Sequence, residues 1–148
     1  MKSRGSDPTP AIRMGVYERD GHRCVSCGRH DLTFQHRQAV GMGGSKHRPR
    51  LDQGLAACGT CNSRYEADLH QAALRFGWKV PRWVEHAGLV PVFVPAEGRW
   101  YRLAHTCARR DHVTHAEAMR MMHEVYGDDY VEGAGLRPFP GAPMGRAA

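Results

Sequence analysis

The spacing of apolar residues near the N-terminus predicts a short amphipathic helix. Ile12, Val16 and Tyr17 fall on one helical face, and Thr9 followed by proline is a favourable helix start. Gly21 supplies a stop signal. We therefore expect a helix over about residues 10 to 19, which would pack on the segment that follows.

The next pattern predicts two strands and a longer helix. Apolar and polar residues alternate over residues 31–37, and a second apolar stretch runs over residues 51–57. Residues 62–76 then carry helix-forming residues with apolar positions at helical spacing, up to Gly77. The order strand, loop, strand, helix predicts an α+β fold built on a ββα unit.

The C-terminal half predicts a hairpin and one more helix. Two short apolar segments, residues 90–95 and 98–103, flank a turn at residues 96–98. Thr114 is positioned to cap a helix over residues 115–126, whose apolar stripe would enter the core. Residues 131–148, rich in Gly, Pro and Ala, are expected to be disordered.

Length and composition limit the size of the core. A chain of 148 residues with 41% hydrophobic residues is expected to form one small domain that needs further stabilisation. We see neither a signal peptide nor an apolar stretch near the roughly 20 residues of a membrane span. We therefore expect a cytoplasmic protein, with no membrane partner, in which paired cysteines bind metal.

Four of the five cysteines form two Cys-x-x-Cys pairs, Cys24 with Cys27 and Cys58 with Cys61. Each pair places two thiolates on one tight turn, and two such turns can close a tetrahedral structural Zn²⁺ site. Cys107 lies far from both pairs and is expected to be an ordinary free thiol.

The positive charge is concentrated in the first third of the chain. Residues 1–50 hold ten Lys or Arg against four Asp or Glu, whereas the remainder balances at eleven against eleven. A cluster of basic residues follows the first strand, and such a cluster favours contact with nucleic-acid phosphates. The predicted DNA-contacting residues are Arg37, Lys46, His47, Arg48 and Arg50.

Four segments together resemble the HNH endonuclease family, and in particular the small HNH proteins of phages that infect actinobacteria. They are residues 17–28 (YERDGHRCVSCG), 35–37 (QHR), 41–45 (GMGGS) and 58–66 (CGTCNSRYE). The resemblance covers roughly residues 10–95. It implies a zinc-stabilised ββα-metal core of the HNH, treble-clef-like type, with flanking helices, a short C-terminal hairpin and a helix.

The resemblance also implies catalytic roles. His36 matches the first histidine of the motif, the general base that activates water against a DNA phosphodiester. Asn62 matches the final His or Asn, a ligand to catalytic Mg²⁺ or Mn²⁺, and Glu66 lies four residues further along the predicted helix. Gln35 stands at a second metal-ligand position, and Gln53 at the position of the Asn that braces the histidine loop.

These patterns predict four parts and leave two functions open. The parts are a flexible arm (1–9), an HNH nuclease domain (10–80), a C-terminal extension (81–130) and the disordered tail (131–148). The first function is metal-dependent cleavage of DNA. The alternative is a non-catalytic, zinc-stabilised protein that binds DNA or assists phage packaging. DNA is the expected partner, with phage terminase or other packaging proteins as further candidates. The oligomeric state is left open.

Overall fold

The computed structural model describes residues 5–40 and 47–127, which form an α+β protein. Two short 3₁₀ turns, Leu51–Gln53 and Ala87–Leu89, accompany the regular elements. In the described residues these elements are α1 (Pro10–Arg19), β1 (Leu32–His36), β2 (Gly54–Cys58), α2 (Gly59–Arg64), α3 (His70–Arg75), β3 (Val92–Val94), β4 (Arg99–Leu103), β5 (Arg110–Val113) and α4 (His115–Tyr126).

The first and last helices agree with the sequence prediction. The Thr9 hydroxyl accepts a hydrogen bond from the Ile12 N–H at 3.2 Å, which caps α1. The Thr114 hydroxyl caps α4 in the same way, accepting from the Glu117 N–H at 3.1 Å. Each cap satisfies a backbone donor that the helix cannot pair internally.

Strands β1 and β2 form an antiparallel hairpin that sets the position of the candidate site. Leu32 pairs with Cys58 at one end, and His36 pairs with Gly54 at the other. The prediction that the second strand starts at Leu51 is wrong. Residues 51–53 form a 3₁₀ turn, because the Gln53 side-chain oxygen accepts from the Arg50 N–H at 2.7 Å and closes the chain on itself.

The predicted single helix over residues 62–76 is also wrong, since α2 and α3 are separate helices. The Leu69 N–H bonds to the Arg64 carbonyl at 2.8 Å instead of the Tyr65 carbonyl that a continuous helix would use. The ring of His70 contacts that Tyr65 carbonyl, with Nδ1 at 3.0 Å. Glu66 therefore lies in the turn between the helices.

The C-terminal sheet has the order β3-β4-β5. The predicted hairpin of residues 90–103 is present as β3 and β4, and Gly98 occupies its turn with a φ of 63°. Strand β5 was not predicted. Of its four residues only Val113 is buried, so the hydrophobic pattern carried almost no strand signal.

The predicted boundary at residue 80 does not separate two cores. One buried cluster joins the cysteine pairs and the hairpin to Trp78, Val92 and Tyr101, while a second lies between α4 and the C-terminal sheet. At the N-terminus, Ser6 and Pro8 are buried, so the described part of the predicted arm packs on the domain. Residues 41–46 of the predicted loop between the two strands, and the predicted tail (131–148), lie outside the described residues.

None of the helices in the described ranges combines the length and the apolar composition that crossing a membrane requires.

Candidate metal centre and histidine cleft

The two cysteine pairs meet at one end of the hairpin. Their four Sγ atoms lie within 4.8 Å of one another, and the Cys27 and Cys58 sulfurs are 3.7 Å apart. A tetrahedral zinc with Zn–S bonds of about 2.3 Å requires S···S distances of about 3.8 Å. The four cysteines could therefore hold a metal ion, and their geometry is consistent with a structural zinc.

Local backbone structure explains how each pair is formed. The Gly28 N–H bonds to the Cys24 carbonyl at 2.9 Å, and Gly28 has a φ of 81°, which closes the first turn. In the second pair, Cys58 is the N-cap of α2, and its sulfur accepts from the Cys61 N–H at 3.4 Å. Such N–H···S bonds stabilise a thiolate.

The thiols titrate differently in the metal-free protein. Burial raises the pKa of Cys61 to about 12 and also raises the pKa of Cys27. Burial acts in the same direction on Cys24, but hydrogen bonds from the Ser26 hydroxyl and from backbone N–H groups outweigh it and lower its pKa to about 6. Metal binding must therefore displace protons from this cluster at neutral pH.

His36 ends β1 and opens into a cleft of about 490 Å³. Its half-buried ring packs edge-on against Phe34, with ring centroids 5.2 Å apart. Burial lowers the pKa of His36, and the nearby positive charges of Lys79 and Arg13 lower it further, against the opposing charge of Asp7. The imidazole is therefore neutral at pH 7 and able to accept a proton. Polar residues of the cleft wall are Ser6, Gln38, His47, Gln53, Arg82 and Glu85.

Gln53 lies in the same cleft, immediately before β2, and its backbone contacts the residue that follows β1. Its backbone carbonyl accepts from the Arg37 N–H at 2.9 Å, directly after His36. Its side-chain oxygen accepts the hydrogen bond from the Arg50 N–H that closes the 3₁₀ turn. This position is compatible with the predicted bracing role, which stays a prediction.

Gln35 and Lys79 converge on the backbone of His36. The Gln35 side chain is fully buried, and its Nε2 donates to the His36 carbonyl at 2.8 Å. Lys79 Nζ donates to the same carbonyl at 3.1 Å and lies 2.6 Å from a Glu66 carboxylate oxygen. Lys79 thus links the strand that carries His36 to the turn that carries Glu66.

Asn62 lies on the other side of the hairpin from the His36 ring. Its Nδ2 donates to the Thr33 hydroxyl at 3.1 Å. Thr33 and Gln35 occupy one face of β1, and Phe34 and His36 occupy the opposite face, because side chains alternate along a strand. The Asn62 amide therefore contacts the face of β1 opposite to the one that carries the His36 ring, and its role as a metal ligand stays a prediction.

The predicted ligands of a catalytic Mg²⁺ or Mn²⁺, Gln35, Asn62 and Glu66, each contact another group of the protein, and their metal binding stays a prediction. Glu66 does not lie on the same helix as Asn62, because α2 ends at Arg64. The Glu66 carboxylate already contacts the ammonium of Lys79. Gln35 Oε1 is buried without a hydrogen-bond partner in the described structure, but it is a neutral oxygen and one ligand alone does not make a site.

The prediction that Arg37 contacts nucleic acid is wrong. Its side chain is fully buried, and its guanidinium donates to four backbone carbonyls at 2.8–3.0 Å. Those carbonyls belong to Asp52, Gly77, Ala87 and Val90. Burial lowers the pKa of Arg37 to about 10, so it remains charged at pH 7 while holding three segments together.

The other predicted DNA-contacting residues have different positions. His47 lines the His36 cleft, whereas Arg48 is exposed and donates to the Asp7 carbonyl at 2.9 Å. Arg50 is about half exposed and lies 3.6 Å from an Asp52 carboxylate oxygen. Lys46 lies outside the described residues. DNA contact by these four residues stays a prediction.

Sequence reasoning missed several residues around the histidine. Lys79 contacts the His36 carbonyl, and Arg82 lines the His36 cleft, so both place positive charge near the imidazole. The Gln38 side chain donates hydrogen bonds to the turn that carries Trp83. A signal was available in residues 78–83 (WKVPRW), where two tryptophans and two basic residues occur within six positions. Interleaved aromatic and basic residues are typical of nucleic-acid surfaces.

No protein-family model matches this chain, and no curated protein or solved structure shows significant similarity to it.

Proposed function

We propose that this protein is an HNH-type endonuclease that hydrolyses DNA phosphodiester bonds, with His36 as the general base. The observation that carries the proposal is the position of a half-buried imidazole, with a lowered pKa, at the end of β1, facing a polar cleft whose wall includes Arg82. A structural zinc at the cysteine site would stabilise the hairpin that carries His36.

The proposed chemistry uses the residues of the cleft directly. A water molecule beside His36 gives its proton to the free ring nitrogen as its oxygen attacks phosphorus. Arg82 offers N–H donors that stabilise the added negative charge on the phosphate oxygens, and His47 lies in the same cleft. The 3′ oxygen then leaves and takes a proton from solvent. These steps use only groups of the chain, and a requirement for Mg²⁺ or Mn²⁺ stays a prediction that the metal conditions of the plasmid assay test.

A second function is favoured by one observation. One carboxylate oxygen of Glu66 lies 2.6 Å from the Lys79 ammonium, so this predicted metal ligand is engaged in an ion pair. That pairing suits a non-catalytic DNA-binding or packaging accessory protein, in which the cleft holds the DNA backbone without cutting it.

A plasmid assay separates the two functions. The protein is incubated with supercoiled plasmid in Mg²⁺, in Mn²⁺ and in EDTA, and the nicked and linear forms are quantified. Nicking by the wild type but not by His36→Ala supports the nuclease. His115→Ala is the matched control, since His115 is also half-buried beside an aromatic ring, that of Trp100, but outside the cleft. DNA binding with no nicking in any condition would favour the accessory protein.

A further inference from the structure

Trp83 differs from the other two tryptophans in its exposure. Trp78 and Trp100 are 4% and 6% exposed, whereas Trp83 is 59% exposed. A single exposed apolar side chain is common and has no meaning alone. The surroundings of Trp83 decide whether it has a binding role.

The turn that carries Trp83 is held rigidly. The Val84 N–H bonds to the Pro81 carbonyl at 3.1 Å, and the side chain of Val84 is buried. Gln38 Nε2 donates to the carbonyls of both Pro81 and Val84, at 3.1 and 2.8 Å. The Trp83 ring meets Tyr126 edge-on, with centroids 5.6 Å apart and an interplanar angle of 82°. The indole is therefore fixed in orientation while most of its surface faces solvent.

A groove of about 380 Å³ lies beside this ring and adjoins the His36 cleft. Lys79, Arg82 and His70 line the groove with Trp83, and Arg82 also lines the His36 cleft. Glu66 is the one acidic residue of the groove lining, and it is paired with Lys79. Arg82 is exposed and forms no salt bridge within residues 5–40 and 47–127. The groove thus combines an aromatic surface with net positive charge.

We infer that Trp83 and Arg82 bind an unpaired nucleotide of the DNA substrate, with its base stacked on the indole and its phosphate at the guanidinium. This inference rests on the proposed function and specifies its substrate as single-stranded or locally unpaired DNA next to the cut. Bases in a duplex already stack on both neighbours, so an indole can stack only on a base that has left the helix. Contact with duplex phosphates would need the arginine but not the indole.

The test compares binding of single-stranded DNA and of the same sequence as a full duplex. Binding is measured by fluorescence anisotropy in EDTA, with full-length protein carrying His36→Ala so that cleavage does not interfere. Trp83→Leu, which keeps an apolar side chain without a ring, should weaken single-strand binding on the order of 10-fold. It should change duplex binding less than about twofold, because phosphate contacts supply that affinity. Trp83→Phe should retain most of the single-strand affinity.

Leu89→Ala is the matched control, because Leu89 is 49% exposed and lies outside the groove lining. It should leave both affinities unchanged. Intrinsic fluorescence gives an independent readout, since Trp83 is the exposed tryptophan. Single-stranded DNA should quench part of the emission, and Trp83→Phe should abolish that quenching.

Three results would overturn the inference. The first is unchanged single-strand binding in Trp83→Leu, and the second is an equal loss of affinity for single strand and duplex. The third is protection of Trp83 from acrylamide quenching in the free protein, because another part of the chain would then cover the indole. Ring-dependent binding without nicking by the wild type would reject the nuclease and keep the nucleotide site. Nicking by the wild type, with no effect of Trp83 substitution on DNA binding, would keep the nuclease and reject the nucleotide site.

Discussion

The ammonium of Lys79 lies 2.6 Å from the carboxylate of Glu66 and also donates to the carbonyl of His36. A cation of the protein therefore contacts the carboxylate that the sequence predicted as a ligand of a divalent metal ion. We therefore expect that mutating Glu66 breaks an ion pair with Lys79 and leaves the metal requirement of nicking unchanged.

Glu66→Gln should leave the Mg²⁺ or Mn²⁺ concentration for half-maximal nicking unchanged within about twofold, because the carboxylate serves Lys79 and not a metal ion. Plasmid nicking measured over a metal titration checks this. Asp68→Asn is the control, since the Asp68 carboxylate is about as exposed as that of Glu66 and pairs with Arg64 at 2.7 Å. A metal requirement that rises tenfold in Glu66→Gln alone would restore Glu66 as a ligand.

The pH dependence of nicking should reflect the depressed pKa of His36. A general base works when neutral, so the rate falls as pH drops through the pKa of the folded protein. Because burial and the charge of Lys79 lower that pKa, the acid limb should lie below pH 6.5, the ordinary value for histidine. Lys79→Met removes a positive charge, so it should move the limb to higher pH, and Lys79→Arg should not. A limb at or above pH 6.5 in the wild type would contradict this.

Arg37→Met should destabilise the fold with little direct effect on DNA contact. It removes hydrogen bonds to four buried carbonyls, and leaving such groups unsatisfied should cost about 3 kcal/mol or more. Chemical denaturation measures this free energy of unfolding. Arg82→Met should behave oppositely, with stability unchanged within about 0.5 kcal/mol and weaker DNA binding. Equal stability of the two variants would contradict the role given to Arg37.

Cys58→Ser should abolish stoichiometric zinc and unfold the hairpin half, because a structural zinc contributes on the order of 10 kcal/mol to such modules. Elemental analysis and circular dichroism measure both effects. Cys107→Ser is the control, since Cys107 is exposed and lies outside the cysteine cluster. Wild-type protein that folds without bound metal would contradict the structural role of the site.

The sequence predicted the elements that are stabilised by residues close to them in the chain. Helices α1 and α4 carry their own caps, Thr9 and Thr114, and the cysteine spacing predicted a cluster that the fold brings together. The break between α2 and α3 could not be predicted in this way. It depends on the contact of the His70 ring with the Tyr65 carbonyl, which no helix propensity encodes.

The site residues that the sequence predicted wrongly or missed also depend on contacts between distant parts of the chain. Arg37 follows His36 and precedes a basic loop, so its position in the sequence favoured phosphate contact. Its burial depends on carbonyls up to 53 residues away, supplied by the segments around Gly77 and Val90. Lys79 likewise reaches His36 across 43 residues. Such long-range contacts follow from the tertiary fold and leave no local pattern.

The central claim is that His36 transfers the proton in DNA cleavage, and a single-turnover rate with saturating protein tests it most directly. His36→Ala should bind DNA with nearly unchanged affinity while its nicking rate falls by about 10² to 10⁴, the loss expected for a general base. Excess Mg²⁺ or Mn²⁺ should not restore the rate, because the missing function is proton transfer. A clean preparation of His36→Ala that nicks at the wild-type rate would contradict the claim.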